Sequence, residues 1–294
     1  ARDSSGQLTS TYYEMRGEIQ NMARTLPVAT TDLARLMEGA AKMGIKGKQE
    51  LSSFTKDTAI TAIAFDLPAD QVAEDMAKIA NMYKIPIPAI RSFGDALNWL
   101  DDDALASGGD IMTFMKNVGG TASIVKISAR ETAALGSTLL SAGEKAETAS
   151  TAINAVFSKL GAANTQVKPF RAMVDDLGLS TAELERMMQT DAVAGINTVM
   201  DAIQKLPVIA KQGEISQIDA VATLFGAEHW DTFSKLIQNR GEMTRQLGLA
   251  NSAESSGSMA REAAARTDTL SGQKQIAANR FSELTSTLGE TLVP

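Results

Sequence analysis

The 294-residue sequence contains no cysteine and a single histidine, His229. The absence of cysteine excludes a disulfide framework, a thiol nucleophile and any zinc site that needs thiolate ligands. One histidine leaves paired-histidine metal sites and Ser/His/Asp triads with a single candidate member. His229 lies in Glu228-His229-Trp230-Asp231, and no Gly-x-Ser-x-Gly motif supplies a nucleophile. We therefore expect His229 at the edge of a packed helix and assign no catalytic residue.

Aromatic residues and prolines are also few, at two Trp, three Tyr, nine Phe and seven Pro, whereas alanine reaches 45. This balance argues against a β-sandwich or barrel and favours packed helices. No uncharged stretch approaches the about 20 apolar residues of a membrane-spanning helix, and the longest, Thr132–Gly143, is interrupted by Thr, Ser and Gly. The chain lacks a signal-peptide pattern and begins Ala-Arg-Asp, so we expect a processed product or a cloned fragment.

The formal net charge of −7 argues against specific nucleic-acid binding, which depends on clustered Lys and Arg. The nearest thing to a basic cluster is Lys42, Lys46 and Lys48, which we expect to form a solvated face rather than a phosphate site. The overlapping segment Gly44–Lys48 lacks Walker spacing and predicts a turn between helices. Asp101–Asp103 lacks the ligand spacing of a calcium-binding loop and predicts the end of a helix in solvent. We assign no cofactor-binding residue and no metal ligand.

Apolar residues recur at spacings of three and four, and no convincing period-two run is present, so the sequence predicts an all-α fold. Three Ser-x-x-Glu sequences predict helix starts through the capping box, at Ser128–Glu131, Ser141–Glu144 and Ser180–Glu183. The pairs Gly108-Gly109 and Gly119-Gly120 predict hinges. The 14 methionines lie mostly at helical spacings, which favours core positions over an adaptable binding surface.

Both ends of the chain carry apolar residues at heptad-like spacings. The N-terminal positions are Leu8, Tyr12, Met15, Ile19, Met22 and Leu26. The C-terminal positions are Leu270, Ala277, Phe281, Leu284 and Leu288. Such seams predict short coiled coils through which chains self-associate. The alternative is that each terminal helix is amphipathic and folds back on the core of its own chain.

Two small or polar stretches, Gly161–Lys168 and Asn251–Ser258, predict boundaries. We therefore expect a compact multi-helix core flanked by long terminal helices with short coiled-coil seams. The predicted parts are an N-terminal heptad helix at 1–28, a helical core at 29–165, a second helical unit at 166–250 and a C-terminal heptad helix at 251–294.

Several segments combine into a family resemblance. The longest are Leu33-Ala-Arg-Leu-Met-Glu-Gly-Ala-Ala-Lys-Met-Gly-Ile45 and Phe65-Asp-Leu-Pro-Ala-Asp-Gln-Val-Ala-Glu-Asp-Met-Ala-Lys-Ile-Ala-Asn81. The others are 50–55, 95–98, 128–135, 139–143, 149–160, 177–184 and 224–228. In order and spacing they resemble the core region of bacteriophage tail tape measure proteins, closest to those of contractile-tailed phages or prophages. The resemblance covers about residues 30–240, and no single segment is diagnostic.

The resemblance implies a structural protein without enzymatic activity or cofactor. Such proteins are made in the host cytoplasm, extend through the lumen of the assembling tail tube, set its length and are expelled at infection to assist genome passage through the host envelope. The implied partners are other copies, expected as a trimer, tail tube and tail assembly chaperone proteins, and host inner-membrane proteins after ejection.

A helix suits a ruler because it converts residue number into length at about 1.5 Å per residue. The core, with its many helix stops, is less ruler-like and is expected to form a compact body that acts after ejection. Two alternatives stay open: a monomeric helical adaptor that binds a partner helix through Met-rich grooves, and a hydrolase that uses His229.

Overall fold

The computed structural model describes residues 10–292, with side chains described for residues 10–286. Within this part of the chain the structure contains sixteen α-helices and four short 3-10 helices, and no β-strand. The predicted all-α fold is therefore confirmed, while the coiled-coil seams stay a prediction.

The helices form two compact units. The first unit comprises residues 10–80, 85–98 and 254–292, and the second comprises residues 81–84 and 99–253. The helices that lie in the first unit or begin there are α1 (Ser10–Ala23), α2 (Thr30–Lys42), α3 (Lys48–Phe65), α4 (Ala69–Met82), α5 (Ile90–Asp103), α15 (Ser258–Thr267) and α16 (Leu270–Leu292). Those of the second unit are α6 (Gly108–Ile124), α7 (Ala129–Ser141), α8 (Ala146–Leu160), α9 (Lys168–Asp176), α10 (Thr181–Thr190), α11 (Ala192–Gln204), α12 (Gln217–Leu224), α13 (Trp230–Gln238) and α14 (Arg240–Ala250). The 3-10 helices are Ile87–Ala89, Ala163–Thr165, Ala227–His229 and Ala253–Ser255.

Two of the three predicted helix starts are present. The Ser128 hydroxyl accepts from the Glu131 backbone N–H at 3.2 Å while the Glu131 carboxylate accepts from the Ser128 N–H at 2.9 Å, which completes a capping box. Ser180 likewise accepts from the backbone N–H of Glu183. The third prediction is wrong, because Ser141 is the last residue of α7 and α8 begins only at Ala146. The apolar face of α7 carries the helix to Ser141.

The predicted hinges at the glycine pairs are also wrong. All four glycines lie within the continuous helix α6. Gly119 instead allows close packing, since a Cβ added there would lie 2.6 Å from the Sδ of Met82. A glycine pair in sequence does not distinguish a bend from a tight helix contact.

The core of the first unit brings together residues from both ends of the chain. One cluster joins α1, α2, α3 and α4 through Met22, Ala23, Val28, Leu33, Leu36, Met37, Ala59 and Ala73. A second cluster joins α3 to α15 through Ile60, Ala64, Met259 and Ala263. The segment that begins at residue 254 therefore completes a core that the first hundred residues begin.

Asp95 of α5 holds that C-terminal segment at its start. Its two carboxylate oxygens accept from the backbone N–H groups of Gly257 at 2.9 Å and Met259 at 3.2 Å, and its carbonyl accepts from the Ser258 hydroxyl at 2.8 Å. The side chain thus caps the N-terminus of α15, although it lies more than 160 residues earlier in the sequence. Asp95 is buried.

A second buried carboxylate, Asp57 of α3, gives the first unit a pH-dependent stability. Burial raises the pKa of the Asp57 carboxyl, and the negative charge of Asp95 raises it further. The positive charges of Arg91 and Lys56 lower the pKa and offset only part of this rise. The folded state then holds the proton more tightly than the unfolded state, so this group's contribution to stability falls as pH rises above the ordinary value of 3.8. We expect Asp57→Asn to stabilise the protein at pH 7 and to have no such advantage near pH 3.

Thermal melts followed by circular dichroism at both pH values test this expectation. Asp268→Asn, which changes an exposed carboxylate of the same unit, is the matched control and should shift the melting temperature little at either pH. A lower melting temperature for Asp57→Asn at pH 7 would show that the ionised carboxylate is stabilising.

The second unit packs its helices around fully buried aromatic side chains. Phe114 of α6 and Phe157 of α8 are completely or almost completely buried. Gly136 of α7 lies against the Phe114 ring so closely that an added Cβ would overlap the ring atom Cδ1. Met112 and Met115 are buried in the same helix as Phe114, which confirms their predicted core positions.

Candidate functional site

The N-terminal seam residues of α1 face their own unit. Met22 belongs to the core, and Met15, Ile19 and Leu26 are partly buried against it. Tyr12 is exposed at the N-terminal end of the row. Leu8 lies outside the described residues. The structure therefore places this seam on the inner side of α1, as in the alternative of a terminal helix folded onto its own chain.

The first three described residues of this seam, Tyr12, Met15 and Ile19, line an open groove of about 690 Å³ between α1, α2 and α16. Its lining is predominantly apolar, with Met37 and Leu51 at its deeper side. We call it the α1–α2 groove. The residues that line it are Thr11, Tyr12, Met15, Arg16, Ile19, Gln20, Ala23, Arg24, Thr30, Thr31, Ala34, Met37, Glu38, Ala41, Leu51, Asn279, Ser282, Glu283 and Ser286.

The inner face of α16 is held against α1 by a buried amide. Asn279 donates from Nδ2 to the backbone carbonyls of Ala23 at 2.9 Å and Val28 at 2.8 Å, just where the chain leaves α1. The Ala23 carbonyl would otherwise be unsatisfied at the C-terminus of α1, and the Val28 carbonyl lies in the connection just before α2. Ile276, one turn earlier, is buried beside them. Asn279 is not recognisable from the sequence, because a polar residue in an apolar helix pattern carries no local signal of its partner.

A bidentate ion pair adds a second link between the same two helices. The Arg24 guanidinium donates to both carboxylate oxygens of Glu283, at 2.9 and 2.6 Å. The hydrogen bonds to Arg24 hold the pKa of the Glu283 carboxyl below its usual value. Because Arg24 is largely exposed, solvent and salt screen this pair, and it serves mainly to fix the register of α16 on α1.

The C-terminal seam residues lie on the opposite, solvent-facing side of α16. Leu270, Phe281 and Leu284 are 73%, 69% and 63% exposed, and Ala277 is exposed between them. With Lys274 they form a continuous 4-3-4-3 row, which we call the outer ridge. The side chain of Leu288 lies outside those that the structure describes. A row of large exposed apolar side chains on one helix is a candidate for an interaction surface.

The residues considered for chemistry are not brought together. His229 is largely buried at the start of α13, and its Nε2 lies 3.7 Å from Glu228, the adjacent residue. Among the described side chains, no group of three or more potential metal ligands is close enough to hold an ion. Within residues 10–292, no helix combines the length and apolar character needed to cross a membrane.

The acidic and glycine-lysine motifs have structural positions. α5 ends at Asp103, as predicted, and Arg245 of α14 pairs with the Asp103 carboxylate. Arg245 also binds Glu242 through two hydrogen bonds and lowers the pKa of that carboxyl to about 2. Gly44–Gly47 lie in the turn from α2 to α3, as predicted, and Lys48 begins α3.

The α1–α2 groove and the outer ridge are thus the candidate site, and comparison with known proteins supplies the family. Residues 16–226 match the family described as phage-related minor tail protein. A probable tape measure protein of Halomonas phage phiHAP-1 is 28% identical over 274 residues, which cover 90% of this chain and 31% of that protein. The chain thus spans about a third of the length of this relative. No solved structure matches the chain.

The family match extends over well more than half of the sequence. It includes most of the segments on which the resemblance to tape measure proteins was based. The chain belongs to the phage-related minor tail protein family and is a structural component of a phage tail.

Proposed function

We propose that this protein is part of the tape measure of a phage tail. In this role it sets the length of the tail tube during assembly, lies in the tube lumen of the virion, and is ejected at infection to assist genome passage through the host envelope. It acts without catalysis. The observation that carries the proposal is the similarity to a probable tape measure protein along 90% of this chain.

The terminal helix α16 fits the role of a length ruler better than the two compact units do. The 23 residues of α16 form one uninterrupted helix, so residue number there translates directly into length. The two compact units contain many short helices joined by turns, and in them added residues change the length of the body little. We propose that the compact part acts after ejection, and that the terminal helices belong to the ruler.

The terminal seams are the proposed surfaces of self-association, with a trimer as the expected state. The outer ridge supports this proposal because its apolar residues are exposed in the isolated chain. Tail tube proteins and tail assembly chaperones are the proposed partners during assembly, and host inner-membrane proteins the proposed partners after ejection. An acidic chain suits this role since it has little affinity for the DNA that follows it.

Changing the length of α16 in the phage-encoded protein tests the ruler. Removing the 21 residues 270–290 is expected to shorten the mean tail by about 32 Å, at about 1.5 Å per residue, and duplicating them is expected to lengthen it equally. Averaged electron micrographs of purified tails measure the difference. Three whole heptads are chosen so that the apolar row keeps its phase.

The matched control is an insertion of 21 alanine-rich helical residues after residue 290, which should lengthen the tail as much as the duplication does. A ruler responds to the number of residues rather than to their identity. Tails of unchanged length in all three variants would show that this helix is not part of the ruler.

The α1–α2 groove favours a second candidate, a monomeric adaptor that binds a partner helix. An apolar channel between two helices is a common way to bind an amphipathic helix, and Met15 and Met37 can adjust to different partners. Multi-angle light scattering separates the two candidates. A mass that rises with concentration supports self-association, and a constant monomer mass supports the adaptor.

A further inference from the structure

The two terminal seams have opposite shapes. The N-terminal seam lines a concave surface, the α1–α2 groove, whereas the C-terminal seam forms a convex one, the outer ridge. Building on the proposed self-association, we infer that the outer ridge of one copy docks into the α1–α2 groove of a second copy. The occupant of the groove is therefore helix α16 of another chain.

The two surfaces agree in length. Along α1 the groove extends from Thr11 to Arg24, or about 20 Å at the helical rise of about 1.5 Å per residue. The described ridge extends from Leu270 to Leu284, or about 21 Å by the same measure. The ridge can therefore fill the groove along its whole length.

The two surfaces also agree in chemistry. The large side chains Phe281 and Leu284 can enter a channel whose α2 wall carries the small residues Ala34 and Ala41. Small residues in one wall leave room for large side chains from the partner. A few such buried side chains carry most of the binding free energy of an interface. The large side chains of the ridge therefore match the unfilled part of the groove in shape.

Charge favours the groove over a second ridge as the partner. Lys274 lies within the ridge, so pairing two ridges in parallel register would place two ammonium groups side by side. The groove instead presents Glu38 at its rim on α2, an exposed carboxylate that pairs with Lys42 of the same helix. Ridge-to-ridge pairing would also leave the apolar groove open to water.

The positions of the two surfaces on α16 determine the type of assembly. Ser282 and Ser286 line the groove, and at about 100° per residue they lie on roughly the opposite side of α16 from Ala277 and Phe281. A copy therefore receives one neighbour through its groove and enters another through its ridge. Such a head-to-tail contact forms a ring where the rotation between copies closes and an open filament where it does not, and the expected trimer corresponds to a closed ring of three.

Complementation between two variants of the full chain tests this arrangement by sedimentation velocity. The ridge variant carries Phe281→Asp and Leu284→Asp, and the groove variant carries Ala34→Lys and Ala41→Lys at exposed positions of α2. Each variant alone should associate at least about 30-fold more weakly than the unaltered chain, the factor expected when interface anchors are lost. An equimolar mixture should form a 1:1 dimer and nothing larger, because only one intact ridge and one intact groove remain.

The controls separate misfolding from loss of contact. Ile209→Asp, an equally drastic change at an 82% exposed residue of the other unit, should leave association unchanged, and circular dichroism should show full helix content for every variant. A mixture that stays monomeric overturns the inference, as does a groove variant that associates like the unaltered chain. An unaltered chain that is monomeric at all concentrations overturns the inference and the proposed self-association together, whereas the tail-length measurement tests the ruler separately.

Discussion

Replacing Asp95 by alanine is expected to release α15 from the first unit. The change removes the carboxylate that accepts from the N–H groups of Gly257 and Met259, both at the buried start of that helix. Hydrogen bonds to a charged group contribute about 1.5–3 kcal/mol each, and the donors left behind are unsatisfied. The opening of residues 254–267 should therefore become easier by about 3 kcal/mol, a roughly 100-fold increase in local hydrogen exchange.

Hydrogen exchange resolved by mass spectrometry measures this opening segment by segment. The exchange rate of Asp95→Asn should lie between those of the unaltered chain and Asp95→Ala. The amide keeps one acceptor oxygen but cannot accept from both N–H groups. Asp219→Ala is the matched control: it removes an exposed capping carboxylate from α12, and its effect of about 1 kcal/mol should stay within the second unit. Unchanged exchange in α15 after Asp95→Ala would mean that Met259 and Ala263 hold the segment without the cap.

The sequence predicts the helices well because their signals are local. Apolar spacing and the Ser128–Glu131 box each involve residues within one or two helical turns, and these predictions are confirmed. Ser141–Glu144 shows the limit of the same reasoning. The Ser-x-x-Glu pattern can cap a helix only where the preceding chain is not helical, and α7 continues through Leu139 and Leu140 to Ser141 itself.

The glycine pairs of α6 show a second limit. Their flexibility in isolation predicts a hinge, but helix propensity costs only about 1 kcal/mol per glycine, and packing readily exceeds this cost. Gly119 is positioned by contact with Met82, a neighbour in space that the local pattern does not identify.

The candidate site was predictable only in its apolar part. Heptad spacing predicts Phe281 and Leu284 as self-association residues, and the structure places both side chains in solvent. The groove was not predictable, because it exists only where α16 meets α1 and α2. α16 lies more than 200 residues after those two helices in the sequence. Asn279 and Glu283 belong to the same class, since their partners on and after α1 are set by tertiary structure alone.

Replacing Gly136 by alanine is expected to destabilise the second unit by about 2 kcal/mol. The new Cβ would lie within 3.0 Å of three atoms of the Phe114 ring, which is fully buried and has no free space to move into. Overpacking of this kind costs about 3 kcal/mol, and the better helix propensity of alanine returns about 1 kcal/mol. Urea denaturation followed by tryptophan fluorescence measures the effect, since both tryptophans, Trp99 and Trp230, lie in this unit.

Gly120→Ala, in α6, is expected to change the stability of the second unit in the opposite direction. No atom lies within 4 Å of an added Cβ at that position, so only the gain in helix propensity remains, and the unit should become more stable by up to about 1 kcal/mol. The two substitutions are chemically identical, so the difference of about 3 kcal/mol between them isolates the contact with Phe114. Equal stabilities for the two variants would show that α6 and α7 separate easily at this contact. The second unit would then be held together mainly elsewhere, by α8 and Phe157.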